Sequence, residues 1–277
     1  MINLPPFPGD FAISPFYIII NKRNGGVLIL MRIAILSDIH GNVSALESVL
    51  NDFRTNVKPD HIALLGDLIN YGMRSNEVIS IIRSLDIPIV CNIWGNHEQS
   101  IMEDDYSHFS TERGVLSAKY TKSQLTPESV LFLNGMEGKS GKAEFELEGK
   151  RFLAVHGSLL DTYWKSIHVD SANGSDGAWE GYEGYDYVLS GHSHYTHVFD
   201  KFYKCDNPSM RNKKKVVFIN PGSVGQPRNH NPKAQYAVLD TDKGVSLISV
   251  PYDVQFEQSL YNDQVDPFYS ERLTNGV

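Results

Sequence analysis

The chain has 277 residues, 41% of them hydrophobic and 21% charged, with a formal net charge of −8. That length can bury a full core, as one large α/β domain or two small ones, and the charge argues against a non-specific nucleic-acid binder, which is normally basic. The two cysteines, Cys91 and Cys205, are far apart and form no CxxC, which argues against a disulfide framework or zinc knuckle and fits a reducing cytoplasm, and no stretch approaches the ~18–20 apolar residues that span a bilayer.

Residues 1–30 are broken by Pro5, Pro6, Pro8 and Pro15 and lack a basic start, so they make a poor signal peptide. Their apolar patch Phe16–Ile20 either adds an edge strand or belongs to an extension ahead of a domain that begins at Met31. The second alternative divides the chain into an extension (1–30), a domain (31–265) and a frayed C-terminal tail (266–277). From Met31 the apolar run Ile33–Leu36 reads as a buried strand that stops at Ser37-Asp38-Ile39-His40-Gly41-Asn42. With Asp38 and His40 two apart, an extended backbone points both side chains the same way. Val43, Leu46, Val49, Leu50 and Phe53 then recur at helical spacing. His61–Leu65 is a second strand, ending in Gly66-Asp67; Asn76–Leu85 is a helix; Pro88–Trp94 is a third strand, ending in Gly95-Asn96-His97-Glu98. This alternation implies right-handed parallel crossovers. Residues 99–133 are helical, with Thr126-Pro127 as a helix start.

The second half changes character. Lys142–Leu147 and Lys150–Val155 form a hairpin around Glu148-Gly149, and the second strand leads to His156. Residues 158–184 read as loop with several aromatics. Tyr187–Leu189 is a short strand before Gly191-His192-Ser193-His194, Val216–Ile219 precedes Asn220-Pro221-Gly222-Ser223, and Tyr236–Leu239 with Val245–Val250 forms a last hairpin before a helix over 253–261.

Ionisable or amide side chains therefore arrive at five strand ends, each beside glycine: Asp38/His40, Asp67, Asn96/His97, His156 and His192/His194. Taken singly, Asp67 reads as a turn cap, Gly95-Asn96 as a turn and His156 as a satisfied core histidine. Taken together they match the strand-end location of ligand sites in α/β sheets. Two aspartates, one asparagine and four histidines, leaving His97 aside, supply seven donors. One metal needs three or four; seven, with one carboxylate shared, suit two metals about 3.5–4 Å apart. Oxygen and nitrogen donors without thiolate suit transition-metal ions, Mn²⁺ first, with Fe, Zn²⁺ and Ni²⁺ as alternatives.

The ordered set DxH, GD, GNHE, HG and GHSH, spread over residues 31–251, resembles the calcineurin-like metallophosphoesterase superfamily, and LSDIHGN, GDLINYG and NPGSVGQPR most resemble its YfcE-like phosphodiesterase branch. The resemblance implies a four-layer αββα sandwich, with two facing mixed β-sheets flanked by helices. It implies a first metal held by Asp38, His40, Asp67 and His194, and a second held by Asp67, Asn96, His156 and His192. It also implies hydrolysis of small phosphoesters, diesters above monoesters, by a hydroxide bridging the metals, with His97 donating a proton to the leaving oxygen or stabilising the transition state. Arg228 and His230 are candidates for phosphate contact, against a solvated loop as the plain alternative. Glu98 stands where GNHD is usual and Asn70 where many relatives carry aspartate or glycine; both leave the ligand set intact. Dinucleoside polyphosphate hydrolysis, phosphomonoester hydrolysis and a catalytically silent interaction scaffold on the same fold are the alternatives. A homo-oligomer is compatible with the sequence, and no membrane partner is expected.

Overall fold

The computed structural model describes residues 31–168 and 177–277. The expectations for residues 1–30, including the Phe16–Ile20 strand, and for 169–176 in the aromatic loop lie outside the described residues.

Two five-stranded mixed sheets face each other. The first has strand order β10-β9-β1-β2-β3, built from β1 (Arg32–Leu36), β2 (His61–Leu64), β3 (Ile89–Asn92), β9 (Ala234–Asp240) and β10 (Gly244–Val250). β1, β2 and β3 are parallel, and β9 joins β1 antiparallel, pairing Ile33 with Leu239 and Ile35 with Ala237. The second has order β4-β5-β6-β8-β7, from β4 (Lys142–Leu147), β5 (Lys150–Val155), β6 (Tyr187–Ser190), β7 (Thr196–Lys204) and β8 (Lys213–Pro221). Its centre β5-β6-β8 is parallel and both edges are antiparallel.

Alternation along each strand assigns the layers. Ile33 and Ile35 face the second sheet and pack with Phe152, Ala154, Leu189 and Ile219. Ala34 and Leu36 face the other way, onto the helical layer. A strand buried on both faces has no place for a polar residue, which is why β1 reads as an unbroken apolar run. The helical layer comprises α1 (Val43–Asp52), continued by a π-helical turn over Phe53–Val57, then α2 (Ser75–Arg83), α3 (Asn96–Glu103), α4 (Glu112–Gln124) and α5 (Pro127–Gly135). Asn42 caps α1 by accepting from the backbone N–H of Ala45, and Thr126 caps α5 by accepting from that of Ser129. Among the described residues the outer face of the second sheet is covered by Ile167, Trp179, Tyr182 and Tyr185 packed on Phe218 and Val188. No helix among the described residues is long and apolar enough to cross a membrane.

Three readings of the sequence need correction. β7 was not anticipated: it is an edge strand whose exposed positions mix Val198 and Phe202 with Asp200 and Lys204, so neither an unbroken apolar run nor a clean polar alternation marks it. The expected frayed tail contains a helix, α7 (Phe268–Asn275), which follows α6 (Val254–Ser259). Tyr269 and Leu273 of α7 are buried, and Tyr269 stacks on Tyr71 with ring centroids 4.2 Å apart. Its short polar sequence hides it; the partner that stabilises it comes from the other end of the domain. Third, Asp38 and His40 do not sit on extended backbone, because both have left-handed φ, +54° and +49°.

Candidate metal centre

All five strand ends point to one edge of the sandwich. Asp38 and His40 lie in the turn after β1, Asp67 after β2, Asn96 and His97 in the first turn of α3 after β3, His156 after β5, and His192 and His194 after β6. Asp67, His192 and His194 share the left-handed conformation, with φ of +53°, +63° and +61°. Non-glycine residues there are uncommon and costly, and concentrate at functional sites. The turn reverses the chain at once, so side chains two residues apart enter the site from different directions.

The structure brings all seven sequence-predicted donors together. Asp38, His40, Asp67 and His194 form one group and Asp67, His156 and His192 a second, each with its ligand atoms within 4.8 Å of one another. Asn96 completes the second, its Oδ1 lying 3.0 Å from His156 Nε2 and 2.8 Å from His192 Nδ1. Asp67 belongs to both groups, with Oδ2 3.7 Å from His40 Nε2 and 3.3 Å from His156 Nε2. Two close approaches depend on glycine. A Cβ on Gly95 would meet Asp67 Oδ1 at 2.1 Å, and one on Gly191 would meet Ser37 Oγ at 2.1 Å.

The donors are oriented by backbone carbonyls. His40 Nδ1 donates to Ile69 O at 3.2 Å, His156 Nδ1 to Leu65 O at 2.7 Å, and His194 Nδ1 to Gln226 O. Each ring therefore turns Nε2 inward, the nitrogen left to serve as a metal ligand. The consequence is an electrostatic mismatch in the protein alone. His40 Nε2 and His194 Nε2 lie 3.2 Å apart, and His194 Nε2 lies 3.1 Å from Asp38 Oδ1. Both Asp38 carboxylate oxygens are buried without a hydrogen-bond partner among the described residues. Lone pairs and anionic oxygens facing one another in a dry site need a cation between them, so the residues fit divalent metal ions.

The ionisation states agree with that fit. Burial pushes His40 well below the usual imidazole range and His192 down to about 3. Burial works against the charged form of Asp67, yet His156, His97 and His40 around it hold its carboxyl well below the usual range. His156 goes the other way: burial is the largest single influence and lowers it, but the Asp67 carboxylate, Asp38 and the Leu65 carbonyl together outweigh burial and raise it to about 9. A metal bound there would displace that proton.

His97 lies at the rim, its Nε2 3.9 Å from Asp67 Oδ2. Burial, opposed by Asp67, pushes it down to about 4, so its resting form is neutral. Asn70 holds the ring, with Nδ2 2.6 Å from His97 Nδ1. Ser117 and Thr121 hydroxyls on α4 donate to Asn70 Oδ1 at 2.8 and 3.1 Å. The amide therefore turns its N–H toward Nδ1, and the ring proton sits on Nε2, facing the cluster. Arg228 is half-buried and close enough to His194 and His97 to help depress both; its Nε has no hydrogen-bond partner among the described residues. His230 is exposed, with its backbone N–H tied to Gly276 O at 2.8 Å.

Two supports escaped the sequence reading. The end of β8 and the loop after it clamp the two sheets' site loops together: Ser223 Oγ donates to Asp38 O at 2.7 Å, Gly225 N to Asp38 O at 3.0 Å, and Asn220 Nδ2 to Gly191 O at 2.9 Å. The NPGS sequence signalled a turn, and its distant partners could not be read from it. The other is Glu98, fully buried, whose carboxylate accepts from four backbone N–H groups: Asp67 and Gly95 at 2.8 Å, Leu68 at 2.8 Å and Ile69 at 3.2 Å. Burial and the Asp67 charge push this carboxyl up to about 7, while the N–H donors act to keep it ionised. Glu98→Ala strands those four donors and is expected to destabilise the metal-free protein by about 3–5 kcal/mol. Urea unfolding measures this, and a loss below about 1 kcal/mol would show that water replaces the carboxylate at no cost.

Residues 31–244 match the model of the calcineurin-like phosphoesterase superfamily domain. An uncharacterized protein of Methanocaldococcus jannaschii is 28% identical over 250 residues, which cover 88% of this chain and 98% of that one. The crystal structure of a metallophosphoesterase from Sphaerobacter thermophilus superposes with a TM-score of 0.66 at 26% identity, over 90% of this chain and 100% of that chain. A shorter match, 30% identical over 92 residues and covering 30% of each chain, is to the symmetrical bis(5′-nucleosyl)-tetraphosphatase of Coxiella burnetii. With the fold, the donor set and the domain match in agreement over most of its length, the chain belongs to the calcineurin-like phosphoesterase superfamily, whose members are metal-dependent.

Proposed function

We propose that this protein is a dinuclear-metal phosphodiesterase acting on small phosphoesters. The observation that carries the reading is Asp67, whose carboxylate stands between two separate donor groups. Asp38, His40, Asp67 and His194 would hold one ion, and Asp67, Asn96, His156 and His192 the other. Divalent ions held there would supply Lewis acidity and a water of lowered pKa. The chain's own residues do the rest. The carbonyl-anchored imidazoles keep their lone pairs aimed inward with no rotamer search. Arg228 offers a guanidinium for phosphoryl oxygens, which it is shaped to grip in pairs. His97 presents its Nε2–H where the departing ester oxygen gathers charge. The two free cysteines fit work in a reducing cytoplasm.

Elemental analysis of the Mn²⁺-reconstituted protein is expected to find two ions per chain, and bis-p-nitrophenyl phosphate is expected to be hydrolysed faster than p-nitrophenyl phosphate. A stable stoichiometry of one would sink the shared-Asp67 arrangement, and no hydrolysis of either ester would sink the enzymatic reading. The local similarity to a dinucleoside tetraphosphatase favours one second reading, hydrolysis of dinucleoside polyphosphates. Adding diadenosine tetraphosphate to the same panel separates the two.

A further inference from the structure

We infer that His108, Phe109 and Trp164 form a ring-binding wall beside His97, and that the substrate carries a planar aromatic group, a nucleoside base or an aryl ring, on its leaving side. The inference rests on the phosphoesterase reading and narrows its substrate.

Position comes first. The Phe109 ring meets the His97 ring edge to face at 5.3 Å, and Trp164 stands 6.2 Å from the His192 ring. The wall therefore spans the rim from the proposed leaving-group residue to the second donor group. Whatever departs on the His97 side departs against these rings.

Construction comes second. Trp164 lies in the loop after β5 and Phe109 in the loop between α3 and α4, so the two halves of the chain each contribute a ring. Asp161 Oδ1 accepts from the backbone N–H groups of Tyr163 and Trp164, both at 3.0 Å, which pins the first loop. Trp164 Nε1–H donates to Gln99 Oε1 at 3.3 Å, on the same helix as His97. A Cβ on Gly114 would come within 3.0 Å of Phe109 Cδ1, so the start of α4 leaves room for that ring.

Chemistry comes third. Trp164 is half-buried and His108 exposed. The His108 imidazole lies nearly parallel on Trp164, with centroids 5.3 Å apart and planes 21° apart, while Phe109 meets the indole at 83°. A solvent-side planar heterocycle stacked on an indole has the geometry a base or aryl ring would adopt there. The indole's one polar atom is already engaged by Gln99, so the wall recognises by stacking. That favours rings in general and is tolerant of their hydrogen-bonding edge.

The test compares three phosphonates that the enzyme cannot hydrolyse: methylphosphonate, phenylphosphonate and the phosphonate analogue of adenosine 5′-monophosphate. Their dissociation constants are measured by calorimetry on the Mn²⁺-loaded protein. The wild type is expected to prefer a ring-bearing ligand over methylphosphonate. Trp164→Ala is expected to weaken that ligand by about 5–150-fold and to leave methylphosphonate within about twofold, the fold-change that corresponds to loss of one stacked ring. Trp164→Phe should restore most of the loss, and Phe109→Ala, a second route to the same wall, should show the same selectivity. A response to the phenyl ligand alone assigns the wall to aryl esters, and a response to the nucleoside ligand assigns it to nucleotides. Equal weakening of all three ligands, or no preference for rings in the wild type, overturns the inference. Hydrolysis of bis-p-nitrophenyl phosphate by the wild type reports separately on the phosphoesterase reading, so an active enzyme without ring preference would reject the wall alone.

Discussion

Asp67→Ala is expected to abolish hydrolysis and to reduce metal content from two ions per chain to less than one. The carboxylate is common to both donor groups, so its removal leaves each with three donors and nothing to hold the pair together. Metal ions contribute several kcal/mol of charge stabilisation to phosphoryl transfer, and each 1.36 kcal/mol is tenfold in rate, so kcat/KM should fall by more than about 10³-fold. Asp67→Asn is the informative companion. It keeps an oxygen to accept the His97 backbone N–H, now bonded to Oδ1 at 2.9 Å, and removes only the charge. If the loss is one of metal affinity, the asparagine variant should recover activity as Mn²⁺ is raised, whereas the alanine variant should not. Retention of two ions by Asp67→Ala, with activity within about tenfold of wild type, would refute the shared-ligand arrangement.

His97→Ala is expected to keep both metals and to lose about 10²–10⁴-fold in kcat with an alkoxide leaving group, the usual range for general acid catalysis. The loss should be distinctly smaller with a p-nitrophenyl ester, which departs without help. Burial holds His97 at about 4 in the metal-free protein, so the ring is neutral at rest. Any proton it delivers must be acquired with negative charge beside it. Asp67 already acts in that direction, and a bound phosphoryl group would add to it. Equal losses with both leaving groups would identify instead an Nε2–H hydrogen bond to the transition state. Metal content must be matched in the comparison, because lost metal would imitate lost chemistry. Undiminished activity on both esters would remove His97 from the mechanism.

The strands that carry the site were legible because their burial is extreme. Ile33, Ala34, Ile35 and Leu36 are buried on both faces of β1, and such a position tolerates only apolar side chains, so the pattern is local and readable. The hairpin at Glu148-Gly149 was readable for a different reason, its turn: both residues adopt the left-handed φ that such a turn requires, +51° and +69°, and glycine takes that conformation freely. β7 and α7 were not: β7 mixes apolar and charged residues on an edge that pairs only with the next strand, and α7 is a short, partly polar helix held by Tyr71, far back along the chain.

The donor types, their order and their glycine neighbours were determined by the amino-acid sequence, since metal chemistry restricts which side chains can serve and close packing restricts what can stand beside them. How those donors sort into two groups was decided by tertiary structure. His192 and His194 are two residues apart yet serve different groups, a division made by left-handed turns rather than by the alternation of a strand. The supports are tertiary as well. Asn70 holds His97 directly and is itself oriented by hydroxyls on α4, Glu98 ties the Asp67 loop to Gly95, and Ser223 anchors Asp38 from 185 residues away. A hydrogen bond between residues so distant leaves no local pattern in the chain, because either partner alone is an ordinary polar residue until folding buries the two together.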